Sequence, residues 1–120
     1  MPNNRAIGVL DDLFFTVKIL DAAKRAGLAI EFVKSEIDAI DKARTAPAVM
    51  LLDLNCAAID PVRLITALKA DPATKPVNLI GFISHVQGEL KQAAQQAGCD
   101  MVLARSAFSQ NLPQLLKRFA

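Results

Sequence analysis

Several polar residues stand where apolar runs break. Asp11-Asp12 follows Ala6–Leu10, and Asp53 follows Ala48–Leu52, with Asn55 two places on. Ser84-His85 follows Val77–Ile83, and Arg105-Ser106 follows Met101–Ala104. If these runs are parallel strands of one sheet, three carboxylates, a hydroxyl and a guanidinium meet at one crevice. Two carboxylates about 4 Å apart repel by roughly 4 kcal/mol at an effective dielectric of about 20. Three bare anions therefore need protons or a cation. A hard divalent cation such as Mg²⁺ suits carboxylates, a backbone carbonyl and water, and usually shares its shell with a phosphate. Arg105 and the Ser84 hydroxyl are suited to the remaining phosphoryl oxygens. The chemistry expected is phosphoryl transfer onto a carboxylate, with Asp53 as nucleophile and the metal orienting the incoming group.

The elements that must position these residues are legible as two alternating kinds of segment. Ala6–Leu10, Leu28–Val33, Ala48–Leu52, Val77–Ile83 and Met101–Ala104 are short apolar runs, the pattern of strands buried on both faces. Glu31 marks the second as an edge strand. Between them lie stripes at helical spacing: Phe15, Ile19, Ala22 and Ala26; Ile37, Ile40 and Ala43; Leu64, Ile65 and Leu68; Val86, Leu90, Ala93 and Ala97; Leu112, Leu115, Leu116 and Phe119. Ser35 with Asp38 reads as a capping box, Gly27 and Gly98 as helix ends, and Pro61 as a first-turn proline. Strict alternation implies an α/β fold with parallel strands, right-handed crossovers and helices on both faces. The expected architecture is a flavodoxin-like (βα)5 sheet in the order 2-1-3-4-5, which brings the ends of strands 1 and 3 together at its switch point.

Composition narrows the function. The 120 residues suffice for one domain, 1–120, with its own core. A 52% apolar content excludes disorder. Six Phe with no Trp or Tyr suggest an aliphatic core and no stacking platform for single-stranded nucleic acid. The net charge of +2, with signs interspersed, argues against nucleic-acid and membrane partners. Cys56 and Cys99 lack metal spacing and read as buried free thiols of a reducing compartment. The polar start and the lack of a span-length apolar run lead to the expectation of a soluble cytoplasmic protein without a signal peptide.

The motifs, taken in order, resemble the receiver domain of two-component response regulators over essentially the whole chain. The matching pieces are Leu10-Asp11-Asp12, Leu51-Leu52-Asp53-Leu54-Asn55, Ile59-Asp60, Ile83-Ser84, Ala97-Gly98 and Arg105. The resemblance implies a non-enzymatic signalling domain in which Asp53 accepts the phosphoryl group. It implies that Asp11, Asp12, Asp53 and the Asn55 carbonyl hold Mg²⁺, and that Ser84 is the switch hydroxyl. It also implies a sensor histidine kinase or histidine phosphotransfer protein as donor, and a downstream protein target.

The sequence departs from that pattern near its fifth strand. Arg105 stands where receivers carry Lys, and Arg is a planar, multi-donor fork where Lys is a compact ammonium. Ser106 replaces the following Pro, so a trans Arg105–Ser106 bond and a reshaped loop are expected. Val102 takes the place of an aromatic switch residue and has no ring to reorient. Ala57 and Pro61 replace the family's Pro and Gly around the acceptor, as changes of loop shape. The alternative function is a phosphorylation-independent pseudo-receiver that serves as a protein-interaction module. A flavodoxin-like hydrolase is disfavoured, because Asp11-Asp12 stands where a Gly-rich phosphate loop is needed and residue 13 is Leu.

Single residues keep plainer readings beside these. Asp11 or Asp12 can cap a helix, Asp53 can be a surface turn residue, and Arg105 can pair with the acidic cluster or with phosphate. His85 reads as packed or solvated; neighbours on a strand face opposite ways, which disfavours a Ser-His-Asp triad. Phe14, beside Leu13 and on a face with Lys18, Asp21 and Arg25, reads either as part of an exposed docking patch or as a lid over the crevice.

Overall fold

The computed structural model describes residues 4–84 and 88–120, so the expectations for His85 and Val86 lie outside the described residues. The elements run β1 (Arg5–Val9), α1 (Leu13–Ala26), β2 (Ala29–Val33), α2 (Glu36–Ala43), β3 (Val49–Asp53), α3 (Pro61–Ala70), β4 (Asn78–Ile83), α4 (Gly88–Ala97), β5 (Met101–Ala104) and α5 (Arg105–Lys117). The strands form one parallel sheet in the order β2-β1-β3-β4-β5, the flavodoxin-like arrangement.

β3 lies at the centre and all five of its residues are buried. Successive side chains on a strand face opposite ways, and β3 divides accordingly. Met50 and Leu52 join a core with Ile7, Val9, Leu64 and Ile65, under α2, α3 and α4. Val49 and Leu51 join a second core with Phe15, Ile19, Phe108 and Leu112, under α1 and α5. The first core contains no ring among its buried residues. The second departs from the expected aliphatic core: Phe82 and Phe108 stack at 4.5 Å, and Phe15 meets both edge-on at 5.0 and 5.8 Å. Three of the six Phe thus gather at one point because β4, α1 and α5 converge there, which composition alone does not reveal.

Local chemistry sets the helix ends. Ser35 accepts the Asp38 N–H and starts α2. Asp60 accepts the Arg63 N–H ahead of Pro61 at the first turn of α3. Gly27 ends α1 at φ 80°, a left-handed conformation that glycine adopts without a Cβ clash. The α2 stripe needs correction. Ile37 is 74% exposed, and the helix buries Ala39 and Ala43, with Ile40 half-buried. Ile40 and Ala43 of the expected stripe do face the core, and the third position is Ala39 in place of Ile37. In α1 Ala23 is buried together with Phe15, Ile19 and Ala22, and Ala26 is only partly covered. In α4 the buried residue is Ala94, and Ala93 is half-exposed.

The junction after β5 also differs from expectation. No reshaped loop follows the strand: β5 ends at Ala104 and α5 begins at Arg105. The Arg105–Ser106 bond is trans, as expected.

Candidate functional site

The site is assembled where β1, β3, β4 and α5 meet at the C-terminal edge of the sheet. Asp53 is the last residue of β3 and is 3% exposed. The chain leaves it in a fixed direction. Leu54 donates its N–H to the Phe82 carbonyl (3.0 Å) and lays its side chain over Gly81. A Cβ at Gly81 would stand 2.9 Å from Leu54 Cδ1, so the bare glycine allows that approach. The Asn55 N–H then turns back to Asp53 Oδ1 at 2.9 Å, an Asx turn that fixes the carboxylate. Asn55 Oδ1 accepts both the N–H (2.8 Å) and the hydroxyl (3.1 Å) of Ser84, joining the loop after β3 to the end of β4.

Asp12 carries two tasks. Its Oδ1 accepts the Phe15 N–H at 3.1 Å and caps α1. Its Oδ2 accepts from Arg105 Nη1 at 3.3 Å, while Arg105 Nη2 donates to Asp53 Oδ1 at 3.2 Å. The capping and ion-pair readings of these residues therefore both hold. The guanidinium spans the two carboxylates as a fork, and each arm is longer than the roughly 2.7–2.9 Å of a tight charge-assisted bond. Its Cζ lies 4.9 Å from the Phe15 ring centroid and 5.5 Å from that of Phe82, within cation–π range. Sequence reading missed this aromatic support. The available signal was that Arg, unlike Lys, is a planar group that stacks on rings.

The electrostatics are opposed at Asp53. Burial pushes its carboxyl above the ordinary range; the Asn55 N–H and Arg105 pull it down, and the Asp11 charge pushes it up again. Asp11 is exposed and its charge also reaches Cys56. Cys56 and Cys99 are buried free thiols, raised chiefly by burial. Asp11, Asp12 and Asp53 against Arg105 leave two negative charges in the cluster. That excess favours a further cation near the cluster. Among the described residues no three carboxylate, thiol or imidazole side chains are grouped so as to hold a metal ion, and the Arg105 guanidinium bridges Asp12 and Asp53.

A cleft of about 430 Å³ opens beside the cluster, lined by Asp12, Phe15, Lys18, Ser84, Arg105 and Ser106, among others. Along its rim Leu13, Phe14 and Val17 are 78%, 81% and 59% exposed. Phe14 belongs to this exposed apolar patch and also lines the cleft beside the cluster. Val102 is buried among the α4-side aliphatics.

This chain has the fold of response-regulator receiver domains. A signal receiver domain from Bermanella marisrubri is 24% identical over 98% of each chain, with a TM-score of 0.85. The chemotaxis response regulator CheY4 of Vibrio cholerae is 18% identical, covering 98% of this chain and 99% of its own, with a TM-score of 0.83. The receiver domain of a Pseudomonas aeruginosa sensor histidine kinase, which has magnesium coordinated in its active-site cleft, is 20% identical over 98% and 97%, with a TM-score of 0.82. No protein-family model and no curated protein sequence matches the chain. No helix among the described residues is long and apolar enough to cross a membrane.

Proposed function

We propose that this chain is a receiver in phosphorelay signal transduction that accepts a phosphoryl group on Asp53 and thereby alters a protein-binding surface. The observation that carries the reading is the carboxylate of Asp53, buried at the end of the central strand beside Asp12 and Arg105. Asn55 and Arg105 both address Oδ1, and among the described residues nothing donates to Oδ2. Oδ2 is thus the nucleophile: it attacks phosphorus, a P–O bond forms, and the P–N bond to the donor histidine breaks, the imidazole leaving as the product. Asn55 and Arg105 hold the attacking carboxylate in place, and Ser84, bonded to Asn55 and lining the cleft, is the hydroxyl that would follow a phosphoryl oxygen. A divalent cation such as Mg²⁺, held by Asp11, Asp12, Asp53 and the Asn55 carbonyl, supplies charge neutralisation for the transferring group. The exposed Leu13, Phe14 and Val17 beside the cleft suit the apolar face of the donor, a histidine kinase or phosphotransfer protein.

Incubation with Mg²⁺ and acetyl phosphate, followed by intact-mass measurement, tests this reading. A gain of one phosphoryl group in the wild type and none in Asp53→Asn is expected. No gain at any donor concentration refutes it and leaves the second reading, an interaction module that signals without phosphorylation. That alternative draws its support from the Arg105 fork already seated on Asp12 and Asp53.

A further inference from the structure

Asn55 uses its backbone and its side chain for different partners. Its N–H goes to Asp53 Oδ1 at 2.9 Å, while its side-chain amide faces Ser84. The orientation of that amide follows from chemistry. A backbone N–H can only donate, so the atom that receives the Ser84 N–H at 2.8 Å is the carbonyl oxygen, Oδ1. The same oxygen lies 3.1 Å from Ser84 Oγ. A carbonyl oxygen only accepts, so the Ser84 hydroxyl is the donor in that bond. A hydroxyl has one proton to give. While Ser84 gives it to Asn55, it has none for any other acceptor. Ser84 also lines the cleft with Asp12 and Arg105, where a phosphoryl group on Asp53 would compete for that proton.

We propose that the Asn55 side chain is a latch on Ser84. Its carbonyl holds the N–H and the hydroxyl at the end of β4 while Asp53 is unmodified, and it gives up the hydroxyl when Asp53 carries a phosphoryl group. The latch rests on the reading of Asp53 as phosphoryl acceptor. The exchange is favourable because a neutral amide oxygen is replaced by an ionised phosphoryl oxygen, and bonds to ionised acceptors are roughly twice as strong. Both latch bonds are exposed, so they bias the hydroxyl by a few-fold and do not block it. Replacing the side chain leaves the Asn55 N–H on Asp53. The side chain of Asn55 is therefore a positioning group that acts on the transfer through Ser84.

Initial rates of labelling by acetyl phosphate and Mg²⁺, read by intact mass on the full chain, test this in the wild type, Asn55→Ala, Ser84→Ala and the double variant. Circular dichroism checks folding. Asn55→Ala is expected to label about threefold faster, since the freed hydroxyl can donate to the transferring group. In the Ser84→Ala background the same change should have no effect. In the unlabelled protein, exchange of the Ser84 amide proton should be about threefold faster in Asn55→Ala than in the wild type. An unchanged or slower labelling rate in Asn55→Ala overturns the latch. So does an equal gain in both backgrounds, which assigns the effect to Asp53 directly; in either case a labelled wild type leaves the receiver reading standing. If Asn55→Ala does not fold, or Ser84→Ala takes no label, the rate of Asn55→Ser against the wild type decides, because its short side chain lacks the amide carbonyl. No labelling of the wild type removes both the receiver reading and the latch.

Discussion

Replacing Phe15 with leucine removes the ring beside Arg105 while keeping an apolar side chain in the core. Phe15 is 5% exposed, meets Phe82 at 5.0 Å and Phe108 at 5.8 Å, and lies 4.9 Å from Arg105 Cζ. Aromatic pairs contribute about 0.5–1.5 kcal/mol each beyond area burial, and a partly exposed cation–π contact about 0.5–1 kcal/mol. Leucine recovers part of the packing, so the expected net loss is about 2 kcal/mol. For a 120-residue chain the unfolding entropy is about 250 cal/mol/K, so about 4 °C of Tm accompanies each kcal/mol. The midpoint should fall by about 8 °C on that scale. The chain has no Trp or Tyr, so far-ultraviolet circular dichroism is the appropriate signal. Combining Phe15→Leu with Arg105→Gln closes a double-mutant cycle whose coupling should be about 0.5–1 kcal/mol. A coupling below about 0.2 kcal/mol would mean that the ring does not hold the guanidinium, and the argument for a supported fork would fail.

The remaining predictions concern the two carboxylates that the fork joins. The folded-state carboxyl of Asp53 titrates above its ordinary range, mainly through burial. Its contribution to stability is therefore complete below the unfolded-state pKa and is lost as pH rises through the raised value. Asp53→Asn should match the wild type in acid and become the more stable protein toward neutral pH; denaturation across that window checks this, and curves that stay parallel would contradict it. Asp12→Ala loses the α1 cap and one arm of the fork, and should cost about 1–2 kcal/mol in urea unfolding. Asp12→Asn, which can still cap, should recover most of that.

The sheet order was legible because its signals are local and redundant. Five apolar runs alternate with five helical stripes, and Gly27, Ser35 and Pro61 mark boundaries where the structure has them. The grouping of Asp12, Asp53 and Arg105 was legible because a parallel sheet sends all its strand ends to one edge. What could not be read depended on rotation and on distant contacts. The facing side of α2 turned on Ala39, a residue too small to outweigh Ile37 in a hydrophobic pattern. The Phe15, Phe82 and Phe108 cluster joins three elements far apart in sequence, and no spacing rule links them. Position 105 was read as part of a loop because a familiar pattern supplied one; in the structure the helix starts there. The double use of Asp12 also lay beyond sequence, since a capping oxygen and a pairing oxygen are distinguished only by geometry.

The direct passage from β5 into α5 has a mechanical meaning. Arg105 is both the group that touches Asp12 and Asp53 and the base of a 13-residue helix. With a rise of about 1.5 Å per residue the helix is a lever roughly 20 Å long. A tilt of about 5° at its base displaces the far end by about 1.7 Å at that length. With no intervening loop, a displacement of the Arg105 backbone passes straight into α5, which ends at Lys117.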